Sequence, residues 1–200
     1  VRRARAAAVA WLLAAPQAIA APEEFTVDPT HTYPGFAVVH LGISTQRGRF
    51  DRTTGTIVID REAGKGSIEI TIDTPSISTG SPKLDAVLRS DDFFDVEKHP
   101  RIVFKSSALE LENGMPKRAV GELTLLGVAK PVTLAIEHFG CTRLPFFVRQ
   151  TCGADVSTTL SRSAFGMNRF STFIADDVKI IIQIEAVKVE SAFEPPPAGG

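Results

Sequence analysis

The feature that most limits the fold is a two-residue alternation of apolar and polar side chains, repeated along the chain with short breaks. Ile180, Ile182, Ile184 and Ala186 fall on one face, with Lys179, Gln183 and Glu185 on the other. Val132, Leu134 and Ile136 alternate with Thr133, Ala135 and Glu137, and Ile68, Ile70 and Ile72 with Glu69, Thr71 and Asp73. Successive side chains of a strand point to opposite faces, so each run predicts a strand with one buried face. Less regular runs cover 54–61, 101–112, 118–126 and 155–160. Between the runs lie turn sequences: Ala63-Gly64-Lys65-Gly66, Glu112-Asn113-Gly114-Met115-Pro116 and Gly127-Val128-Ala129-Lys130-Pro131. Links this short join antiparallel neighbours and leave no room for a helical crossover. One stretch departs from the pattern. Ser81-Pro82 reads as a helix start, and Leu84, Val87 and Leu88 share a helical face just before Phe93-Phe94. Seven or eight antiparallel strands and one helix fit a sandwich or a closed barrel with a helix near one end. Closure removes exposed edges, which favours an all-β, eight-stranded antiparallel barrel.

The two ends of the chain read differently from the middle. Arg2, Arg3 and Arg5 precede an uncharged run from Ala6 to Ala15, followed by Pro16 and Ala18-Ile19-Ala20. That layout predicts a secretory signal peptide over 1–20, with an apolar part too short to span a bilayer. The mature chain is then exported, with no membrane span. Losing three arginines takes its net charge from −1 to about −4. No basic stripe remains to track a nucleic-acid backbone. Glu194-Pro-Pro-Pro-Ala-Gly-Gly200 predicts a disordered tail over 194–200, which leaves one domain over 21–193.

Several blocks of the middle are similar to the YceI-like family. They are Asp28-Pro-Thr-His-Thr32, then Phe36, Val38 and His40-Leu41-Gly42, and Arg47-Gly-Arg-Phe50. Further blocks run from Leu88 through Ser106, from Gly121 through Val132, and over Arg162-Ser-Ala-Phe-Gly-Met167. The resemblance spans 25–189 and implies a bacterial, usually periplasmic, lipocalin-like barrel whose lumen holds a long apolar molecule. Polyisoprenoids, isoprenoid quinones and fatty amides are the ligand classes it implies, with no catalytic set. A bound polyisoprenoid or quinone would be the sole cofactor-like group.

The chain holds thirteen Phe against one Trp and one Tyr, a supply of apolar surface without a polar handle. An eight-stranded barrel is just wide enough to pack itself or to hold one ligand, and a ten-residue strand tilted by about 40° makes it about 25 Å tall. The candidate lining is Phe36, Val38, Phe50, Phe93, Phe94, Phe104, Leu125, Leu134, Phe165, Met167 and Phe173. Arg89, Arg162 and Asn168 are candidates for a polar headgroup at the mouth, with Arg162 placed on an anionic or carbonyl head. The four histidines, His31, His40, His99 and His138, lack metal-ligand spacing, so no metal site is expected. No Gly-x-Ser-x-Gly frame surrounds Ser161 or Ser163. Cys141 and Cys152, outside the matched blocks, fit a disulfide closing a hairpin loop, a pair of free thiols or a redox-active couple, the first being the natural form in an oxidising compartment. Three functions therefore stand at this point. They are a lipid binder or carrier, an exported enzyme acting on a lipid, and a ligand-free barrel serving protein contacts, with a homodimer possible through a sheet face.

Overall fold

In the computed structural model, residues 21–143 and 149–190 are described. The expected leader over 1–20 and the tail over 194–200 lie outside them. Among the described residues, eleven strands form one antiparallel sheet that closes on itself through a pairing of the first strand with the last. The strands are β1 (Glu23–Val27), β2 (Tyr33–His40), β3 (Ser44–Phe50), β4 (Thr53–Asp60), β5 (Lys65–Asp73), β6 (Ile77–Ser78), β7 (Arg101–Glu112), β8 (Met115–Leu125), β9 (Val128–Thr142), β10 (Thr151–Ser161) and β11 (Ile174–Lys188). Their number reconciles with an eight-stranded wall because three positions hold two strands in series. β1 and β2 both pair with β11; β4 and β3 pair with β1 and β2; β5 and β6 pair with β4 and β3. The connectivity is an up-and-down meander. The turns at 41–43, 79–100, 126–127 and 162–173 therefore share one end, and those at 61–64 and 113–114 lie at the other, where β9 ends and β10 begins.

The strand breaks are repaired locally. Between β1 and β2, Asp28 accepts from the Thr30 N–H at 2.8 Å, an Asx turn that lifts the chain out of the ladder. Thr32 re-enters it by side chain, its hydroxyl donating to the Glu185 carbonyl and accepting from the Glu185 N–H. That substitution lets Thr32 be fully buried without an orphaned polar group.

The helix α1 (Pro82–Arg89) forms where the sequence places it. Ser81 caps it by accepting from the Leu84 N–H, Pro82 sits in the first turn and Arg89 in the last. It ends at Arg89, and the following residues turn back through bonds such as Phe94 N–H to the Leu88 carbonyl. This places Leu84, Leu88, Phe93 and Phe94 over one end of the barrel.

Candidate functional site

The inward face of the barrel does not fill its own centre. A cavity of about 730 Å³ runs through it, within the range of small-molecule sites. The inward isoleucines Ile57, Ile68, Ile70, Ile72, Ile180, Ile182 and Ile184 line it and are only half-buried, because their inner sides face the void. Away from the helix, Phe25, Ile59, Leu109, Ala119 and Ala186 pack into a floor, each 4% exposed or less. At the helix end the opposite holds. Leu41, Gln46, Val87, Phe170 and Phe173 line the cavity and are also exposed to solvent, so the lumen opens there.

Aromatic residues shape the upper lumen. Phe50 lies 6.2 Å from Phe36 and meets Phe94 edge-on at 5.5 Å, separations at which ring quadrupoles attract. Phe36 fits because its cross-strand partner is Gly48: a Cβ there would stand 2.4 Å from the Phe36 ring. Across the mouth Phe93 stacks on Phe170 at 6.1 Å, Arg169 pairs with Asp92 at 3.3 Å, and the Leu41 N–H donates to the Phe173 carbonyl at 2.6 Å.

Polar lining groups are few and unevenly placed. Among the described residues, the ionisable side chains on the wall are His40 and Arg162, and no carboxylate faces the lumen. His40, Gln46, Thr79 and Arg162 all stand toward the helix end; Thr53, deeper down, is buried with its hydroxyl unpaired. The Coulomb character of the wall is therefore neutral to weakly positive, which disfavours a cationic ligand.

Of the sequence candidates, Phe36, Val38, Phe50, Phe93, Phe94, Phe104, Leu125, Leu134, Phe165, Met167, Phe173 and Arg162 all lie on the cavity wall. Two do not. Arg89 donates to the carbonyls of Pro75 at 2.9 Å and Ile77 at 2.7 Å, fastening α1 to β6 instead of facing a headgroup. Asn168 is exposed on the loop after the short 3₁₀ turn Ser163–Phe165 and is absent from the wall. Arg162 is on the wall but 5% exposed, and its guanidinium donates to four carbonyls: Ala175 at 3.0 Å, Met167 at 2.7 Å, Arg169 at 2.9 Å and Ile174 at 3.1 Å. It is a clamp on the mouth loop. Asp176 supports the same loop by accepting from the hydroxyls of Ser161 and Ser163 and the Ser163 N–H, bonds that hold its carboxyl below the usual range. The isoleucine array was readable as an inward face from its alternation, but alternation alone does not distinguish a packed core from a wall.

Cys141 and Cys152 face each other on β9 and β10 and are joined by a disulfide at the floor end. Chain entropy for a loop of this length gives about 2–3 kcal/mol. On the outer face, Asp28, His31 and Glu185 bring one ligand atom each within 4.8 Å of one another. Asp28 spends its carboxylate on Thr30 and on His31 at 2.9 Å, which lowers its pKa and, with the Asp28 bond as the main cause, raises that of His31. The cluster secures the β1–β2 break, and none of its three residues lines the lumen.

Comparison with known proteins matches residues 25–186 to the YceI-like domain. A UPF0312 protein of Serratia proteamaculans is 32% identical over 182 residues, covering 90% of this chain and 94% of that protein. The Campylobacter jejuni YCEI protein superposes with a TM-score of 0.65 at 25% identity, over 76% of this chain and 90% of that one. A polyisoprenoid binding domain from Saccharophagus degradans shares the fold, with a TM-score of 0.59 at 15% identity over 82% and 98%.

Proposed function

This chain belongs to the YceI-like domain family, and from that premise we propose that its barrel binds a long, uncharged or anionic apolar molecule in the lumen. The ligand is a polyisoprenoid, an isoprenoid quinone or a fatty amide, sequestered or carried without chemical change. The carrying observation is the cavity of about 730 Å³, apolar along its length and free of carboxylates on the described wall. Its ionisable side chains, His40 and Arg162, stand at the helix end, so the tail lies toward Phe25 and Ile59 and any head remains at the mouth. The polyisoprenoid-binding function named for the Saccharophagus domain of the same fold agrees with this reading.

The energetics are favourable without a strong polar anchor. Burying a methylene contributes about 0.8 kcal/mol, so about twenty carbons contribute about 16 kcal/mol gross. Association and ordering cost about 4–15 kcal/mol. The surplus grows with chain length, which makes tail length the main determinant of selectivity. The leader-like residues 1–20 and the disulfide support a periplasmic location for this binding, since disulfides persist in oxidising compartments. N-terminal sequencing of the periplasmic fraction checks that part.

Mass spectrometry of an organic extract from natively purified protein tests the binding. One unmodified lipid per chain is expected. A lipid bearing a new functional group would point to catalysis, and an empty extract to a ligand-free barrel. Ile182→Trp, which puts bulk into the void from the middle of β11, should remove the co-purified lipid while leaving the melting temperature unchanged or higher. An undiminished lipid load in that variant would move the site out of the lumen.

A further inference from the structure

Six of the ten large apolar side chains exposed among the described residues gather at one end of the barrel. Val39, Leu41, Ile43, Val87, Phe170 and Phe173 are each at least 43% exposed, reaching 82% at Ile43, and all belong to the helix end. Four of them, Leu41, Val87, Phe170 and Phe173, also line the cavity. The apolar surface of the lumen thus reaches the outside at these four residues. Backbone strain is concentrated at the same place. Of the five non-glycine residues with positive φ among the described residues, Leu41, Asp95, Leu126 and Phe170 lie in turns of this end. Large side chains held in the left-handed region are costly and mark places where local geometry serves something other than stability.

We propose that this rim docks onto the surface of a phospholipid bilayer, with Ile43 and its neighbours inserted among the acyl chains, so that a ligand passes between membrane and lumen without crossing water. The inference rests on the lumen being a lipid site and adds the phase with which it exchanges. A bilayer fits better than a protein partner because a hydrocarbon phase is what an open apolar tunnel must meet. Rim-plane insertion of this kind scales with the apolar area buried. Charges around the mouth are mixed: Arg169 is paired with Asp92, Lys98 with Asp95, and Asp176 and Asp177 lie on β11. Docking is therefore driven by apolar contact and does not need anionic headgroups.

Flotation of the full chain with phosphatidylcholine vesicles, with and without phosphatidylglycerol, tests this at low and high salt. In parallel, binding of 1-N-phenylnaphthylamine reports the lumen. Ile43 is outside the lining and Met115, 48% exposed, stands at the floor end. The expected result is flotation with pure phosphatidylcholine at either salt, weakened about tenfold by Ile43→Glu, as for one side chain of this size leaving an apolar phase. Met115→Glu should float like the parent, and all three proteins should bind the dye equally. No flotation, flotation indifferent to Ile43→Glu, or flotation only with phosphatidylglycerol at low salt overturns the docking proposal. So does a dimer that Ile43→Glu dissolves, which would assign the face to self-association. Flotation without dye binding would leave the rim assignment standing and remove the lumen as a lipid site.

Discussion

The same pair of left-handed turn residues is built three times in this barrel, with opposite chemistry at its two ends. At the floor end Asn113-Gly114 joins β7 to β8 with φ of 52° and 75°. At the mouth Leu41-Gly42 joins β2 to β3 with φ of 55° and 68°, and Leu126-Gly127 joins β8 to β9 with 53° and 74°. Two consecutive left-handed residues make the tight hairpin turn that matches strand twist, and asparagine is suited to the first of them. Leucine is not; a left-handed conformation costs an L-residue about 1–2 kcal/mol. The floor is made for stability throughout: a packed apolar cluster, a disulfide, and Glu23 bonded to Arg61 at 2.8 Å and Lys188 at 2.9 Å. The mouth sacrifices stability to present leucine and phenylalanine to solvent. A barrel needing only to persist would have two floors.

The mouth is nevertheless held in one shape, and Arg162 does most of that. Its four bonds to carbonyls tie the start of β11 to the loop at 167–169. Arg162→Ala leaves those carbonyls without their donor and should cost about 3 kcal/mol in chemical denaturation, the scale of losing a buried charged hydrogen-bond centre. Arg162→Lys should recover little, because one ammonium on a flexible stem cannot serve four acceptors fixed around a planar fork. A loss below about 1 kcal/mol in both variants, with weakened binding of anionic lipids alone, would return Arg162 to the headgroup role and dissolve the contrast between a clamped mouth and a charged one.

How far the sequence discloses this molecule follows from the range of each interaction. The alternation of Ile180, Ile182 and Ile184 determines which face turns inward, and short links determine the meander; both are local and legible. Ser81-Pro82 likewise announces α1. The destinations of Arg89 and Arg162 are not local. Their acceptors at Pro75, Ile77, Ile174 and Ala175 exist as a set only after the strands have paired. The break at residues 28–32 is hidden for a similar reason, since Thr32 completes a ladder with Glu185 on the far end of the chain. Whether the inward face packs or encloses space is also beyond the pattern. It depends on barrel radius against summed side-chain volume, to which Gly48, by admitting the Phe36 ring, contributes as much as any large residue.

Exchanging the turn residues sharpens the comparison at a smaller energy. Leu41→Asn should stabilise the fold by about 1 kcal/mol by relieving the left-handed leucine, and Asn113→Leu should cost a similar amount. Thermal denaturation measures both. Leu41→Asn should also slow ligand transfer from vesicles, whereas Asn113→Leu should not. If Leu41→Asn is stabilising and transfer is unchanged, the strain at the mouth is incidental to exchange.

The finest difference between the ends is electrostatic and separates by salt. Glu23 at the floor and Asp176 at the mouth both have lowered pKa values, by different causes. Burial raises that of Glu23, but its bonds to Lys188 and Arg61 and the charges of both outweigh it. Asp176 is lowered first by the Ser161 hydroxyl and then by the Ser163 N–H and hydroxyl, with the Arg162 charge a lesser cause. A carboxylate lowered on folding contributes stability that is present above its unfolded pKa and lost as pH falls through the folded one. Each end should therefore loosen only below the ordinary carboxylate range, 4.5 for Glu23 and 3.8 for Asp176. Added salt screens exposed ion pairs and leaves hydrogen bonds from neutral donors largely intact. Carboxyl titration by NMR at low and at high salt should move Glu23 toward its ordinary value and leave Asp176 almost where it was. Equal movement of the two would mean that the mouth loop is held by charge after all, and that Arg162 acts on Asp176 more strongly than the serine bonds do.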